Sequence, residues 1–116
     1  MHPLLQSYLE EMPLIAILRG ITSAEATDVV GMLYQSGFRI VEVPLNSPDP
    51  IRSIEQIAST FGDRMLVGAG TVLDPAQVGA VCDAGGQIIV SPNTDPDVVR
   101  ASVARDAVSL PGAATP

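Results

Sequence analysis

The stretch RIVEVPLNSPDPIRSIEQIASTFGDRMLVGAG, residues 39–70, decides the fold class of this 116-residue chain. It begins with the apolar run RIVEV and ends with a second such run, MLVGA. Between them, Pro48 and Pro50 stand near the start of a segment whose isoleucines recur at helical spacing, and Gly62 follows as a stop signal. The two runs begin roughly 26 residues apart, which is the spacing of a strand–helix–strand unit rather than of a hairpin.

The same pattern repeats on both sides of this unit. Further β-rich runs are LIAIL (14–18), QIIV (87–90) and AVSL (107–110). Helices are predicted from Thr22 and Ser23 toward Gly37, from Asp74-Pro75 toward Gly85, and from Asp95-Pro96 toward Arg105, with a short leading helix over 4–11. The sequence therefore predicts four strand–helix units followed by a fifth strand.

This repetition predicts an α/β fold with a parallel sheet. Runs such as LIAIL and QIIV are apolar throughout, as expected of strands whose two faces are both covered. The pattern fits either an open doubly wound sheet or a closed (β/α)8 TIM barrel. A complete barrel takes about 200 to 250 residues, so residues 1–116 would be about the first half of a single barrel domain. We expect the chain to be truncated, because PGAATP ends it in turn chemistry.

Composition excludes several classes of function. The formal net charge is −7, and all six basic residues are arginine, so no lysine can form a Schiff base. Without a basic cluster or a long apolar run, we expect neither a nucleic-acid partner nor a membrane span. His2 and the single cysteine, Cys82, are far apart, so we expect no metal site and no internal disulfide. A reducing cytoplasm is the expected location.

Polar residues collect where the predicted strands end, which is where functional groups lie in barrels and open sheets alike. Glu42 interrupts an otherwise apolar strand, and a buried carboxylate costs several kcal/mol unless it is paired, protonated or facing a polar cavity. It is either an ion-pair partner of Arg19 or a general acid/base, and the neighbouring polar loops favour the second hypothesis. Arg19 could bind a carboxylate or phosphate, and Thr71, after two glycines, could meet an anionic ligand or simply form a turn.

Four motifs, in this order and spacing, resemble the class I 2-keto-3-deoxy-6-phosphogluconate/galactonate aldolase family. They are LIAILRGI (14–21), FRIVEVPLNSPDP (38–50), VGAGTVLDPAQV (67–78) and IIVSPNTDPDVVRA (88–101). The resemblance implies a homotrimeric (β/α)8 barrel, a lyase without a cofactor, that cleaves a phosphorylated 2-keto-3-deoxy sugar acid into pyruvate and glyceraldehyde 3-phosphate. EVPLNSP resembles the galactonate branch, because the gluconate branch usually has arginine at the position of Asn46.

By the same resemblance, Glu42 is the acid/base that moves protons through a bound water. Arg19 and Thr71 hold the carboxylate and keto end of the substrate, and Pro92 lines the pocket. In the family, a lysine on strand six forms the Schiff base, and a later glycine-rich region binds the phosphate. Since this chain contains no lysine, we expect it to be inactive alone. The alternatives are a non-catalytic half-barrel that binds a keto acid or acts as an assembly module, and, more weakly, an open-sheet nucleotide-binding domain.

Overall fold

A computed structural model describes residues 1–116 and shows five parallel strands joined by helices. The strands are β1 (Ile15–Ile17), β2 (Ile40–Pro44), β3 (Leu66–Gly70), β4 (Ile88–Ser91) and β5 (Val108–Pro111). The helices are α1 (Pro3–Glu11), α2 (Ala26–Gln35), α3 (Pro50–Phe61), α4 (Pro75–Asp83) and α5 (Pro96–Ala104). The predicted four strand–helix units, the fifth strand and the leading helix are all confirmed. No helix has the length and apolar character needed to cross a membrane.

The strand order resolves the choice between the two α/β architectures. Strands follow one another as β1-β2-β3-β4-β5, and every neighbouring pair is parallel. Helices α2 to α5 bury their apolar residues in one core with Val41, Val67 and Ile89, so they cover the same face of the sheet. A doubly wound sheet would reverse its strand order and carry helices on both faces. The chain therefore has the arrangement of a (β/α)8 barrel wall.

Helix α1 covers the opposite face of the sheet at the amino ends of the strands. Leu5 of α1 is buried against a row of one side chain from each of four neighbouring strands: Ile40, Leu66, Ile88 and Val108. Because side chains alternate between faces, the next residue on this face of β2 is Glu42. We call this face, opposite to helices α2 to α5, the inner face of the sheet. Helix α1 covers its amino end with apolar side chains, and Glu42 lies beyond this covered part, toward the carboxyl ends of the strands.

The structure corrects three details of the sequence prediction. Strands β2 to β5 each begin and end one residue later than predicted, and β1 is shorter than the run 14–18. The expectation that β1 is covered on both faces is wrong, since β1 is an edge strand and Ile17 is 58% exposed. Helix α2 begins at Ala26 rather than near Thr22, because a turn forms first in which Glu25 Oε1 accepts a hydrogen bond from the Thr22 amide at 2.9 Å.

The contact of α1 with the sheet provides a test of this packing. Truncating Leu5 to alanine leaves a cavity below the inner face, and we expect it to lower the free energy of unfolding by about 2 to 5 kcal/mol. The matched control is Met32→Ala on α2, whose side chain is 61% exposed and should change stability by less than about 0.5 kcal/mol. Chemical denaturation measures both, and equal losses would contradict the role of α1.

Candidate active site

Glu42 is buried in the middle of the sheet with an unsatisfied oxygen. It lies on β2 between Ile17 of β1 and Gly68 of β3, and it is only 4% exposed. Its Oε2 atom is buried and has no hydrogen-bond partner. Buried carboxylate oxygens are almost always paired, so an orphaned one is expected mainly where a ligand or water completes the site. The sequence prediction that Glu42 is a carboxylate within a buried strand is confirmed.

The carboxylate of Glu42 occupies space that Gly70 leaves empty on the neighbouring strand. A Cβ atom built on Gly70 would overlap Oε2 and the carboxyl carbon of Glu42. Gly70 is itself buried, and its carbonyl accepts a hydrogen bond from the Leu45 amide at 2.9 Å, which joins the ends of β2 and β3. The side chain of Glu42 therefore reaches diagonally toward the carboxyl end of β3, where the chain turns away from the sheet.

Thr71 makes that turn in a strained conformation. Its φ is +56°, in the left-handed region that a β-branched residue rarely adopts. Such a conformation costs about 1 to 3 kcal/mol and concentrates at functional sites. The next residue, Val72, donates its amide to the carbonyl of Val90 at 3.2 Å, so the strained residue is fixed between two anchored strand ends. Thr71 and the Glu42 carboxylate thus lie on two sides of the same corner.

Arg19 follows β1 and is oriented by two cross-strand hydrogen bonds. The Leu18 amide donates to the Glu42 carbonyl at 2.9 Å, and the Gly20 amide donates to Ser47 Oγ at 3.1 Å. Gly20 has a φ of +77°, which permits the tight turn. The Arg19 side chain is exposed and lines a groove of about 260 Å³ between β1 and α2. Glu42 does not line this groove.

The ion-pair hypothesis for Arg19 and Glu42 is wrong in this structure. None of the five ion pairs includes either residue. Burial raises the pKa of Glu42 above its ordinary value, and the charge of Arg19, acting without direct contact, lowers that pKa only in part. A raised pKa makes a carboxyl a stronger base than an ordinary glutamate, which is a property that general acid/bases use.

Pro92 lies farther from Glu42 than the other candidates. It follows β4 and is exposed, and β3 separates β4 from β2. The amide of Gly112 donates to the Ser91 carbonyl at 2.8 Å, and Thr94 Oγ1 donates to the Gly112 carbonyl at 2.6 Å, so the segment after β5 packs on the loop of Pro92. The structure therefore groups Glu42 with Gly70 and Thr71 in one corner, with Arg19 on one side and Pro92 along the same edge. No group of three potential metal ligands occurs.

Comparison with known proteins decides the family. The family model described as "Aldolase: KDPG and KHG aldolase" matches residues 5–116. The chain belongs to the KDPG and KHG aldolase family. This confirms the resemblance inferred from the four motifs.

Individual relatives in this aldolase family agree with that assignment. The chain is 51% identical over 106 residues to the probable 2-dehydro-3-deoxy-6-phosphogalactonate aldolase of Rhizobium meliloti, covering 91% of this chain and 50% of the relative. It is 50% identical over 105 residues to the 2-dehydro-3-deoxy-6-phosphogalactonate aldolase of Escherichia coli, covering 90% and 51%. A solved structure described as "Native KDPGal structure" superposes with a TM-score of 0.89 at 50% identity, covering 90% and 51%. The chain spans about half the length of the curated relatives it matches.

The structure gives Gly70 a role that differs from the predicted one. The sequence predicts that the two glycines before Thr71 let a ligand approach the backbone, whereas Gly70 makes room for the side chain of Glu42. Ser47 was not singled out, although its hydroxyl holds the Arg19-Gly20 turn. A polar residue three positions after the end of β2 is the available signal for Ser47, but no local pattern gives its partner 27 residues earlier.

The raised pKa of Glu42 predicts how stability depends on pH. A carboxyl with a raised folded-state pKa stabilises the fold fully below its unfolded pKa, and this contribution is lost as pH rises through the folded pKa. We therefore expect Glu42→Gln to be more stable than the parent at pH 7, and the difference to shrink as pH falls toward 4. Urea denaturation over that range measures it, with Glu55→Gln on exposed α3 surface as the control. Identical pH dependence of parent and Glu42→Gln would contradict the assignment.

The strain at Thr71 predicts that two substitutions at this position differ in their effect on stability. Thr71→Gly removes the left-handed penalty and should raise the free energy of unfolding by up to about 1 kcal/mol, after the added flexibility of glycine is subtracted. Thr71→Val keeps the branched shape and removes only the hydroxyl, so it should leave the strain in place. Thermal unfolding of the two variants distinguishes them, and a destabilised Thr71→Gly would show that the turn is not strained.

Proposed function

We propose that these residues form the first half of an aldolase barrel that cleaves 2-dehydro-3-deoxy-6-phosphogalactonate into pyruvate and D-glyceraldehyde 3-phosphate. The observation that carries the proposal is the buried Glu42 carboxylate, whose Oε2 lacks a partner at the carboxyl end of the sheet. The names of the two relatives at 51% and 50% identity supply the substrate. Asn46 in the EVPLNSP motif is the residue we associate with the galactonate rather than the gluconate substrate.

Glu42 is the proposed proton carrier of the reaction. Once the keto carbon C2 is held as a protonated Schiff base, Glu42 accepts the C4 hydroxyl proton through a bound water. The C3–C4 bond breaks, its electron pair moves into the enamine, and the C4 oxygen becomes the aldehyde of glyceraldehyde 3-phosphate. Glu42 then returns the proton to C3, and hydrolysis of the Schiff base releases pyruvate. A carboxyl with a raised pKa suits both directions of transfer.

Arg19, Thr71 and Pro92 are the proposed substrate-binding residues. The exposed guanidinium of Arg19 takes part in no ion pair and can bind a carboxylate with two parallel hydrogen bonds. Thr71 directly follows Gly70, against which the Glu42 carboxylate lies, and its hydroxyl and turn amide are the groups it would offer to the substrate. Pro92 gives an apolar wall along the same edge of the sheet. Together they would hold the carboxylate and keto end of the substrate within reach of Glu42.

The Schiff-base lysine and the phosphate-binding residues would come from the second half of the barrel. The 116 residues contain no lysine, so they cannot supply the amine themselves. We propose that the whole protein is a cytoplasmic homotrimer that needs no metal or other cofactor, and that this chain alone is inactive. The same absence of lysine favours one alternative, a non-catalytic half-barrel that binds a keto acid or serves as an assembly module.

Reconstitution in a chimera tests the proposal. Residues 1–116 replace the matching half of the Escherichia coli relative, and pyruvate release from 2-dehydro-3-deoxy-6-phosphogalactonate is measured. We expect the chimera to be active, and Glu42→Gln within it to lower turnover by about 10² to 10⁴, the usual loss when a general acid/base is removed. Residues 1–116 alone should release no pyruvate and should form no pyruvate adduct after borohydride reduction.

The controls distinguish the proposed aldolase from the alternative, a non-catalytic half-barrel that binds a keto acid. Glu55→Gln in the chimera replaces an exposed carboxylate and should leave turnover unchanged. An adduct on residues 1–116 alone would overturn the argument from lysine, and full activity of Glu42→Gln would remove Glu42 from proton transfer. A folded chimera that binds pyruvate without cleaving the sugar acid would favour the binding module.

A further inference from the structure

We propose that Gly70 is a positioning residue: the absence of its side chain sets where the Glu42 carboxylate lies, and so where its proton is delivered. The inference rests on the proposed function, because it matters only if Glu42 carries protons. The role assigned to Gly70 is exerted through the side chain of Glu42.

The backbone of Gly70 does not require glycine. The glycines with positive φ are Gly20, Gly37 and Gly85, so Gly70 has a conformation that alanine also adopts. What excludes a side chain is the space around it. The three atoms nearest to a Cβ on Gly70 all belong to the carboxyl group of Glu42.

Gly68, on the same strand and face, provides the contrast. A Cβ there would collide with the backbone carbonyl and side chain of Ile88 on β4, so Gly68 is required by strand packing. At Gly70 no atom of a neighbouring backbone is among the three nearest, and the flexible end of one side chain fills the place. Gly68 therefore allows β3 to pack against β4, and Gly70 makes room for the Glu42 carboxylate.

A methyl group at position 70 would force the Glu42 carboxylate out of the place it occupies beside β3. Toward the amino ends of the strands, the inner face is filled by the row that includes Ile40 and Leu66 beneath Leu5. We expect the carboxylate to leave the place beside Gly70 and to swing toward the less filled, more solvated part of the inner face. A displacement of about 1 Å at a reacting group can cost about 10² in rate, even when substrate binding is preserved.

The test is a double-mutant cycle in the complete protein, with kcat, KM and the pH profile of kcat as readouts. Gly70→Ala should lower kcat by about 10² and change KM by less than about threefold. Glu42→Asp withdraws the carboxylate by one methylene, so adding Gly70→Ala to that variant should change kcat by less than about threefold. The acidic limb of the Gly70→Ala profile should move to lower pH, because the displaced carboxylate is more solvated.

Gly68→Ala is the matched control for a packing role. Its effect should be the same in the parent and in the Glu42→Asp variant, and it should leave the acidic limb in place. If Gly70→Ala fails to fold while Gly70→Ala/Glu42→Asp folds, the clash with the carboxylate is confirmed directly by the stability rescue.

Three results would overturn the inference. These are equal losses for Gly70→Ala in both backgrounds, an unmoved acidic limb, or failure of both Gly70→Ala proteins to fold. Failure of the proposed function is a different result, namely retained turnover in Glu42→Gln. A low-turnover Glu42→Gln together with an unaffected Gly70→Ala would leave the proposed function standing and reject only the positioning role.

Discussion

The burial of one carboxylate, that of Glu42, in an otherwise apolar sheet is the main energetic constraint on this structure. Glu42 lies on a strand whose five residues are all buried, and Oε2 receives no hydrogen bond. Removing a charge from water without pairing it is costly, and a protein can reduce that cost by protonating the group. The raised pKa of Glu42 is the direct result, and it is the property that the proposed proton transfer would use. The structural cost of Glu42 and its proposed chemical role therefore have the same origin.

The inner face of the sheet is divided along the strands into an apolar end and an end that carries the candidate site. At the amino ends, Leu5 and the row of strand residues below it form a closed apolar layer. At the carboxyl ends, Glu42, Gly70 and the strained Thr71 replace apolar side chains. This division is general in (β/α)8 barrels, where one end of the strands supports the fold and the other carries the chemistry. Here the free energy gained by burying the apolar layer under α1 offsets the unfavourable burial of Glu42 and the strain at Thr71.

The sequence was sufficient for the order of strands and helices and for the burial of Glu42, because both are local signals. Strand-like runs, proline and glycine punctuation, and a lone acid in an apolar run can all be identified without a partner. It was insufficient wherever a cross-strand contact decides the outcome. Gly70 makes room for Glu42, 28 positions earlier in the chain, and the hydroxyl of Ser47 accepts a hydrogen bond from the amide of Gly20, 27 positions earlier. Neither role can therefore be predicted from the neighbouring residues in the sequence. The exposure of Ile17 likewise depends on β1 being an edge strand, which the apolar run LIAIL does not reveal.

The candidate residues differ in how firmly the described sheet fixes them. Glu42 and Gly70 lie on β2 and β3, which pair in register along the whole of both strands and are flanked by further strands on each side. Arg19 follows the three-residue edge strand β1, whose outer side is unpaired, and its side chain lies in an open groove. Edge strands exchange backbone hydrogen bonds with whatever adjoins them, and a closed barrel has no edge. The positions of Glu42 and Gly70 are thus fixed by pairing on both sides, whereas Arg19 follows a strand that is paired on one side only.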